Sequence, residues 1–181
     1  MQKIFSADSG FHVPDGTIVH SIVDPRMTCQ TGVEWVDACS LAQGVIPEGV
    51  TSKIHVHPIV TQCTYVLSGR LSVRMKDPRV AEPYLLALNV GETVVTRPGT
   101  FFQLINPHHD ACKVLYIVAP AFLFDADETG VRYNDAIVLE ASWEALATAR
   151  WHVPQLKEIS NLAKDRAAAI QRLRQIQHNT L

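Results

Sequence analysis

The sequence of 181 residues has no hydrophobic run long enough to span a bilayer. Its longest apolar stretch, from Val114 to Phe124, is interrupted by Pro120 and falls well short of the roughly 20 residues that a membrane helix needs. The N-terminus lacks the apolar core and small-residue cleavage site of a signal peptide, and the cysteines form no CxxC pair. We therefore expect a cytoplasmic protein with no membrane partner and with reduced thiols at Cys29, Cys39, Cys63 and Cys112.

Charge of either sign is also scarce. Charged residues make up 19% of the chain and the formal net charge is −2, so no global field indicates nucleic acid or an anionic membrane as a partner. No alternation of strands with helices is visible before Pro120, which argues against a parallel α/β sheet. The chain does have a hydrophobic fraction of 47%, which is enough for a sizeable core.

Short segments of β-branched and apolar residues recur at intervals of roughly ten residues, with Gly or Pro turns between them. This pattern predicts a mainly β sandwich or small barrel over residues 17–124, preceded by an irregular arm over residues 1–16. The predicted strands are 17–23, one or two within 32–46, 51–57, 62–67, 71–75, 84–88, 93–96, 101–105 and 113–119.

After about residue 125 the pattern predicts helices. Ser142 is suited to cap a helix that runs to about Arg150, and apolar residues spaced by three and four predict an amphipathic helix over residues 155–177. We expect this helical appendage, residues 125–181, to pack on the barrel or on a second subunit. Together with the edge strands of the barrel, the long helix predicts a homodimer.

One stretch, residues 49–69, carries the strongest functional signal. His55 and His57 are two residues apart, so a β-strand would point both imidazoles to the same face. Pro58 interrupts the strand, and a returning strand would bring the Gln62 amide back towards the imidazoles. Two imidazoles and an amide in one cavity predict a site for a divalent metal ion.

The spacing within this stretch resembles the first motif of the cupins. Gly49 is followed after five residues by His55, then by His57, then after four more by Gln62 and after six more by Gly69. The cupin motif has a glycine, an HxH pair, a glutamate and a glycine at matching spacings. The single departure is Gln62, where the family usually has glutamate.

A second stretch resembles the second cupin motif. It runs from Gly91 through Arg97-Pro98-Gly99 and Phe102 to Asn106. The usual motif has proline in place of Arg97 and a metal-binding histidine in place of Phe102. Both motifs together imply a cupin-like double-stranded β-helix, or jelly-roll, barrel followed by C-terminal helices.

The two departures change the chemistry that the resemblance implies. Replacing carboxylate by amide removes a negative charge, and Phe102 removes a donor, so His55, His57 and Gln62 remain as three neutral metal ligands. Such a site should bind Fe, Mn, Ni or Zn more weakly than the usual cupin set. A bound ion would keep its double positive charge and open positions, which favours an anionic small-molecule substrate. Water or substrate is the preferred occupant of the vacant position, ahead of His108, His109, Cys112 and Tyr116.

Further residues are candidates for contact with substrate. Lys53 is expected to share the inward face with His55 and, like Tyr116, to position substrate or move a proton. Tyr65, Phe102 and Leu104 are predicted to line the pocket with Tyr116, since apolar and aromatic walls are typical of small-molecule sites.

Three kinds of function follow from these features. The first is a metal-dependent cupin enzyme acting on a small organic anion, most readily a dioxygenase, with isomerase and lyase chemistry as further possibilities. The second is a non-catalytic small-molecule binding or sensing cupin with a degenerate metal site. The third is a subunit whose C-terminal helix docks a partner.

Overall fold

The computed structural model of the chain describes residues 4–26, 37–127, 130–148 and 156–180. Cys29 and the predicted strand residues 32–36 lie outside these ranges. Within them the elements are β1 (Phe11–His12), β2 (Ile18–Val23), β3 (Ser40–Ile46), β4 (Ile54–Val56), β5 (Thr61–Ser68), β6 (Leu71–Lys76), β7 (Tyr84–Leu88), β8 (Thr93–Thr96), β9 (Phe101–Ile105), β10 (Cys112–Ala119), β11 (Phe124–Asp127), β12 (Gly130–Tyr133), β13 (Ile137–Leu139), α1 (Trp143–Thr148) and α2 (Leu156–Thr180).

The strands form two antiparallel sheets and a hairpin. The first sheet has the order β1-β2-β3-β10-β5-β8, the second has the order β13-β4-β9-β6-β7, and β11 pairs with β12. Strands far apart in the chain are neighbours, as where β10 lies between β3 and β5. The architecture is the predicted mainly β jelly-roll barrel with helices at its C-terminal end.

Alternating side chains explain how the sheets enclose a core. Along β5, Gln62, Thr64 and Val66 are buried, whereas Tyr65 and Leu67 on the opposite face are exposed. This period of two directs one face of each strand inward. The main core lies between the sheets and includes Ile46, Val66, Leu71, Val73, Met75, Phe102, Leu104 and Val114.

A second, smaller core holds α1 against the barrel. Trp143 of α1 packs with Ile54, Val56 and Phe101, and its indole N–H donates a hydrogen bond of 2.8 Å to Gln103 Oε1. The helix begins after Ser142, whose hydroxyl accepts a 3.1 Å hydrogen bond from the Ala145 amide. Since Ile54 and Val56 face outward towards α1, the residue between them faces the barrel interior.

The structure differs from the sequence-based boundaries at both ends of the barrel. Residues 124–139 contain three strands rather than helix, so the predicted helical appendage from residue 125 is wrong for this segment. The reason is that β13 pairs with β4, which would otherwise be an unpaired edge. The N-terminal arm is not wholly irregular either, because β1 pairs with β2 and both Val13 and Asp15 are buried.

The long C-terminal helix α2 is connected to the barrel by Arg166. The guanidinium is buried, pairs with Asp135 and donates a 2.7 Å hydrogen bond to the Ala121 carbonyl oxygen. No helix in the described part of the chain is long and apolar enough to cross a membrane.

Candidate functional site

A cavity of about 70 Å³ lies between the two sheets, where the N-terminal arm closes over them. Most of its wall is apolar. The polar groups in the wall include Asp15, Thr17, His55, His57, Gln62 and Tyr116. Among the described wall residues there is no lysine or arginine.

The two histidines of the HxH pair share this cavity, as predicted. Both are buried, and their ring centroids are 5.5 Å apart. His55 lies in the middle of β4, and His57 follows the strand, where its carbonyl oxygen accepts a 2.9 Å hydrogen bond from the Gly99 amide.

His55 is held in a defined orientation. Its Nδ1 lies 3.0 Å from the Lys53 carbonyl oxygen. A carbonyl oxygen only accepts, so Nδ1 must carry the proton, and in the neutral ring Nε2 presents a lone pair. This Nε2 lies 3.7 Å from Asp15 Oδ2. Fixing one nitrogen on a backbone carbonyl while the other faces a cavity is the usual arrangement of a metal-ligating histidine.

His57 has a different environment. Its Nδ1 is buried and has no hydrogen-bond partner among the described residues. Burial, and secondarily the nearby His55, lowers the pKa of His57 well below its usual 6.5. The ring is therefore neutral at physiological pH, which is the form that binds metal. A buried unpaired nitrogen costs free energy unless something else satisfies it.

Phe102 stands directly opposite His55 in the pairing of β4 with β9. Its ring centroid is 3.9 Å from that of His55 and 5.0 Å from that of His57, the latter in an edge-to-face arrangement. Phe102 packs against the two imidazoles and is not among the residues that form the cavity wall.

Gln62, Leu104 and Tyr116 all lie in the cavity wall, as predicted. The Gln62 Nε2 donates a 3.1 Å hydrogen bond to Thr64 Oγ1. The amide oxygen of Gln62 is then the atom of this side chain that could bind a metal ion. Burial is the main cause that raises the pKa of Tyr116 well above 10.0, so its hydroxyl stays protonated. The Tyr116 ring lies so close to Gly44 that a Cβ at that position would come within 2.3 Å of it.

Two further predicted site residues lie outside the cavity wall. Lys53 precedes β4, is exposed, and its ammonium pairs with Glu140 on the surface. The strand alternation that was expected to turn Lys53 inward does not extend that far, because the Lys53 amide bonds instead to the Asp15 carbonyl oxygen at 2.7 Å. Tyr65 is exposed because it lies on the outer face of β5, opposite to Gln62 and Thr64.

Sequence analysis missed Asp15, although it is the acidic residue that faces His55. Its Oδ1 accepts hydrogen bonds of 2.9 Å from both the amide and the hydroxyl of Thr17. In the sequence, Asp15-Gly16 is simply a turn signal, and an aspartate followed two residues later by a threonine is a common turn pattern. Only the fold brings this turn to the barrel interior.

The donor chemistry of the cavity fits a divalent ion. Four side chains each keep one atom that could bind a metal ion, after their other polar atoms are hydrogen-bonded or packed. These atoms are His55 Nε2, Asp15 Oδ2, a His57 nitrogen and the Gln62 amide oxygen. Within the described ranges, however, no group of three His, Cys, Asp or Glu side chains is already arranged to hold a metal ion. A bound ion would therefore use the Gln62 amide, outside oxygen atoms or a local adjustment of these side chains.

Comparison with known proteins finds a family match for the central part of the chain. A family model described as "Cupin domain" matches residues 43–118, which include both histidines, Gln62 and Phe102. No curated protein matches the chain.

Solved structures share the fold at low identity. Oxalate decarboxylase from Lactobacillus farciminis, in a formate complex, is 15% identical with a TM-score of 0.53, covering 75% of this chain and 33% of that one. The capsular polysaccharide assembling protein CapF from Staphylococcus aureus is 15% identical with a TM-score of 0.52, covering 77% and 33%. KdgF from Halomonas sp. is 16% identical with a TM-score of 0.51, covering 66% and 94%. The chain thus spans about a third of the first two proteins. Residues 43–118 therefore match a cupin domain, and the chain has the jelly-roll fold that these structures share.

Proposed function

We propose that this chain is a metal-dependent cupin enzyme that acts on a small organic anion, with dioxygenase-like chemistry as the preferred reaction class. The observation that carries the proposal is the fixed His55 ring. Its Nδ1–H is committed to the Lys53 carbonyl oxygen, so its Nε2 lone pair is aimed into a buried cavity that contains further donors. A divalent ion such as Fe, Mn, Ni or Zn would supply a Lewis-acid charge there and, if redox-active, a means of using O₂.

The residues of the cavity have separate tasks in this proposal. His55 and His57 are neutral nitrogen donors, and Gln62 offers its amide oxygen. Tyr116 keeps its proton because burial raises its pKa, so its hydroxyl can donate a hydrogen bond to a substrate oxygen. The apolar wall, including Leu104, excludes water and so strengthens each of these polar interactions.

The size and charge of the cavity limit the substrate. A volume of about 70 Å³ is enough for about five water-sized groups, so the reacting part of the substrate is small. Because the described wall has no lysine or arginine, an anion gains no charge partner from protein cations. In this proposal the metal ion supplies that partner, and enolates, diketonates, catecholates and carboxylates are the candidate substrate classes.

The first experiment is metal analysis of the protein purified from metal-replete cells without chelator. We expect about one divalent ion per chain, lost in His55→Ala and kept in His109→Ala, which changes an exposed loop histidine. Oxygen uptake by the Fe(II)-loaded protein with a β-diketone and with catechol then tests the dioxygenase assignment. A metal-free wild-type protein would refute metal dependence.

A second candidate function is a binding or sensing protein without catalysis. It is favoured by Phe102, which fills the position of the expected third imidazole with an apolar ring, and by the largely apolar wall. This function requires a neutral, apolar ligand, because no protein cation lines the described wall. Calorimetric titration of the chelator-treated protein with benzyl alcohol and with benzoate distinguishes this function from a metal-dependent enzyme. A non-catalytic binding protein should bind the neutral alcohol and should not bind the anion.

A further inference from the structure

The N-terminal arm delivers one carboxylate into the cavity in a fixed position. The Asp15 side chain is 6% exposed. The backbone around it is tied down on both sides, by the 2.7 Å bond from the Lys53 amide to the Asp15 carbonyl oxygen and by the 3.1 Å bond from the Val13 amide to the Thr17 carbonyl oxygen. Asp15 is therefore part of the barrel interior rather than of a loose terminus.

The two carboxylate oxygens of Asp15 have different surroundings. Oδ1 accepts two hydrogen bonds from Thr17. Oδ2 instead faces His55 Nε2 at 3.7 Å, which is too long for a hydrogen bond. Since His55 Nδ1 must donate to the Lys53 carbonyl oxygen, an unprotonated Nε2 would place its lone pair opposite a carboxylate lone pair in a buried site. Such an arrangement is unfavourable, so positive charge is required between the two atoms, and either a proton on Nε2 or a metal ion supplies it.

The distance between His55 Nε2 and Asp15 Oδ2 is the one expected for two ligands of the same metal ion. Nitrogen and oxygen ligands lie about 2.0–2.2 Å from a transition metal, and at coordination angles near 110–120° they are about 3.3–3.8 Å apart. The distance from His55 Nε2 to Asp15 Oδ2 is within that range.

We propose that Asp15 is the anionic ligand of the metal site and replaces the carboxylate that the first motif lacks at Gln62. The inference rests on the proposed function, because it needs an ion in the cavity. The negative charge of the site has moved from strand β5 to the N-terminal arm. His55 and Asp15 hold the ion from two directions, and the neutral donors Gln62 and His57 together with water or substrate complete its coordination.

The test is titration of the full-length, chelator-treated protein with Co²⁺, followed both by calorimetry and by the visible absorption of the bound ion. Asp15→Asn removes the charge while its amide oxygen can still accept the Thr17 hydrogen bonds. The matched control is Asp24→Asn, since Asp24 is also a buried acid in the wall of this cavity but pairs with Arg26 and Ser21. Melting curves without metal check that both variants are folded.

We expect Asp15→Asn to weaken Co²⁺ binding by at least about tenfold and to alter the visible spectrum, while Asp24→Asn stays within about threefold of wild type. Wild-type affinity and an unchanged spectrum in Asp15→Asn would overturn the inference and leave the metal site standing. Equal weakening in both variants would overturn it as well, because it would indicate a distant charge effect. If the wild-type protein does not bind Co²⁺ at all, both the inference and the proposed metal dependence fail.

Discussion

Replacing Arg166 by methionine should destabilise the protein strongly, although the residue lies far from either end of the long helix α2. Arg166 is 6% exposed and its partner Asp135 is 0% exposed. Asp135 Oδ2 also accepts a 2.8 Å hydrogen bond from the Leu123 amide, but its Oδ1 has no partner among the described residues. Methionine replaces the aliphatic part of the side chain and removes the guanidinium, which leaves a buried carboxylate without its cation.

The expected loss is large because the pair is buried. Removing one partner of a buried ion pair costs about 3–5 kcal/mol. A domain of this size has about 5–15 kcal/mol of stability in total, and each kcal/mol corresponds to about 2–4 °C in Tm, so the melting temperature should fall by about 6–20 °C. Asp135→Asn in the same chain should restore about 1–3 kcal/mol, because it removes the stranded charge.

Urea unfolding followed by circular dichroism measures these differences. The matched control is Arg174→Met on the same helix, because Arg174 pairs with Asp37 at 2.7 Å on the surface, where both side chains are roughly half exposed. An exposed pair is worth about 0–1 kcal/mol. If Arg166→Met costs no more than Arg174→Met, the reasoning that Arg166 anchors the helix to the barrel is refuted.

Three further predictions concern the barrel. Phe102→His adds a third imidazole and should raise the affinity for Co²⁺, measured by calorimetry, by about tenfold or more. It should also lower the free energy of unfolding by about 2–4 kcal/mol, because a buried apolar ring is lost. An unchanged affinity would contradict this prediction. With chelator present, the free energy of unfolding should decrease as the pH is lowered from 6.5, by up to about 1.4 kcal/mol per pH unit. The reason is that His57 binds a proton in the unfolded chain but not in the folded protein, where burial lowers its pKa. His57→Gln should flatten this slope. Burial raises the pKa of Cys112 to about 11, so iodoacetamide at pH 8 should modify Cys63 before Cys112 in peptide mass spectra.

Most of the barrel was predictable because each strand carries its own signal. For β9 and β10, apolar residues, β-branched residues and flanking turns predict strands at 101–105 and 113–119 without reference to the rest of the chain, and the observed strands are 101–105 and 112–119. Strand β13 could not be found in this way. Its three residues form a strand because β4 offers them an open edge, and that edge exists only after the barrel has folded.

In the candidate site, too, some features follow from the local sequence and others depend on tertiary contacts. Two histidines at i and i+2 required only the pleat of β4 to share a cavity, so the sequence was sufficient for that prediction. Lys53 is also two residues from His55, but β4 begins at Ile54 and the pleat does not govern the residue before it. Period-two reasoning therefore fails at the ends of short strands, where tertiary hydrogen bonds decide the direction of the side chain.

The net charge of the cavity cannot be read from the two sequence motifs, because Asp15 lies outside both of them. Its carboxylate changes the substrate charge that the site is expected to prefer. With His55, His57 and Gln62 alone, a divalent ion keeps its double positive charge and favours a dianionic or strongly chelating substrate. In the proposed site, the Asp15 carboxylate would reduce the charge of a bound divalent ion to a single net positive charge, while the charge of Asp24 is already balanced by Arg26. A monoanion then neutralises the buried site, whereas a dianion leaves an uncompensated charge in an apolar enclosure. Substrate preference should accordingly turn from monoanions towards dianions in Asp15→Asn, which connects the N-terminal arm to specificity as well as to metal binding.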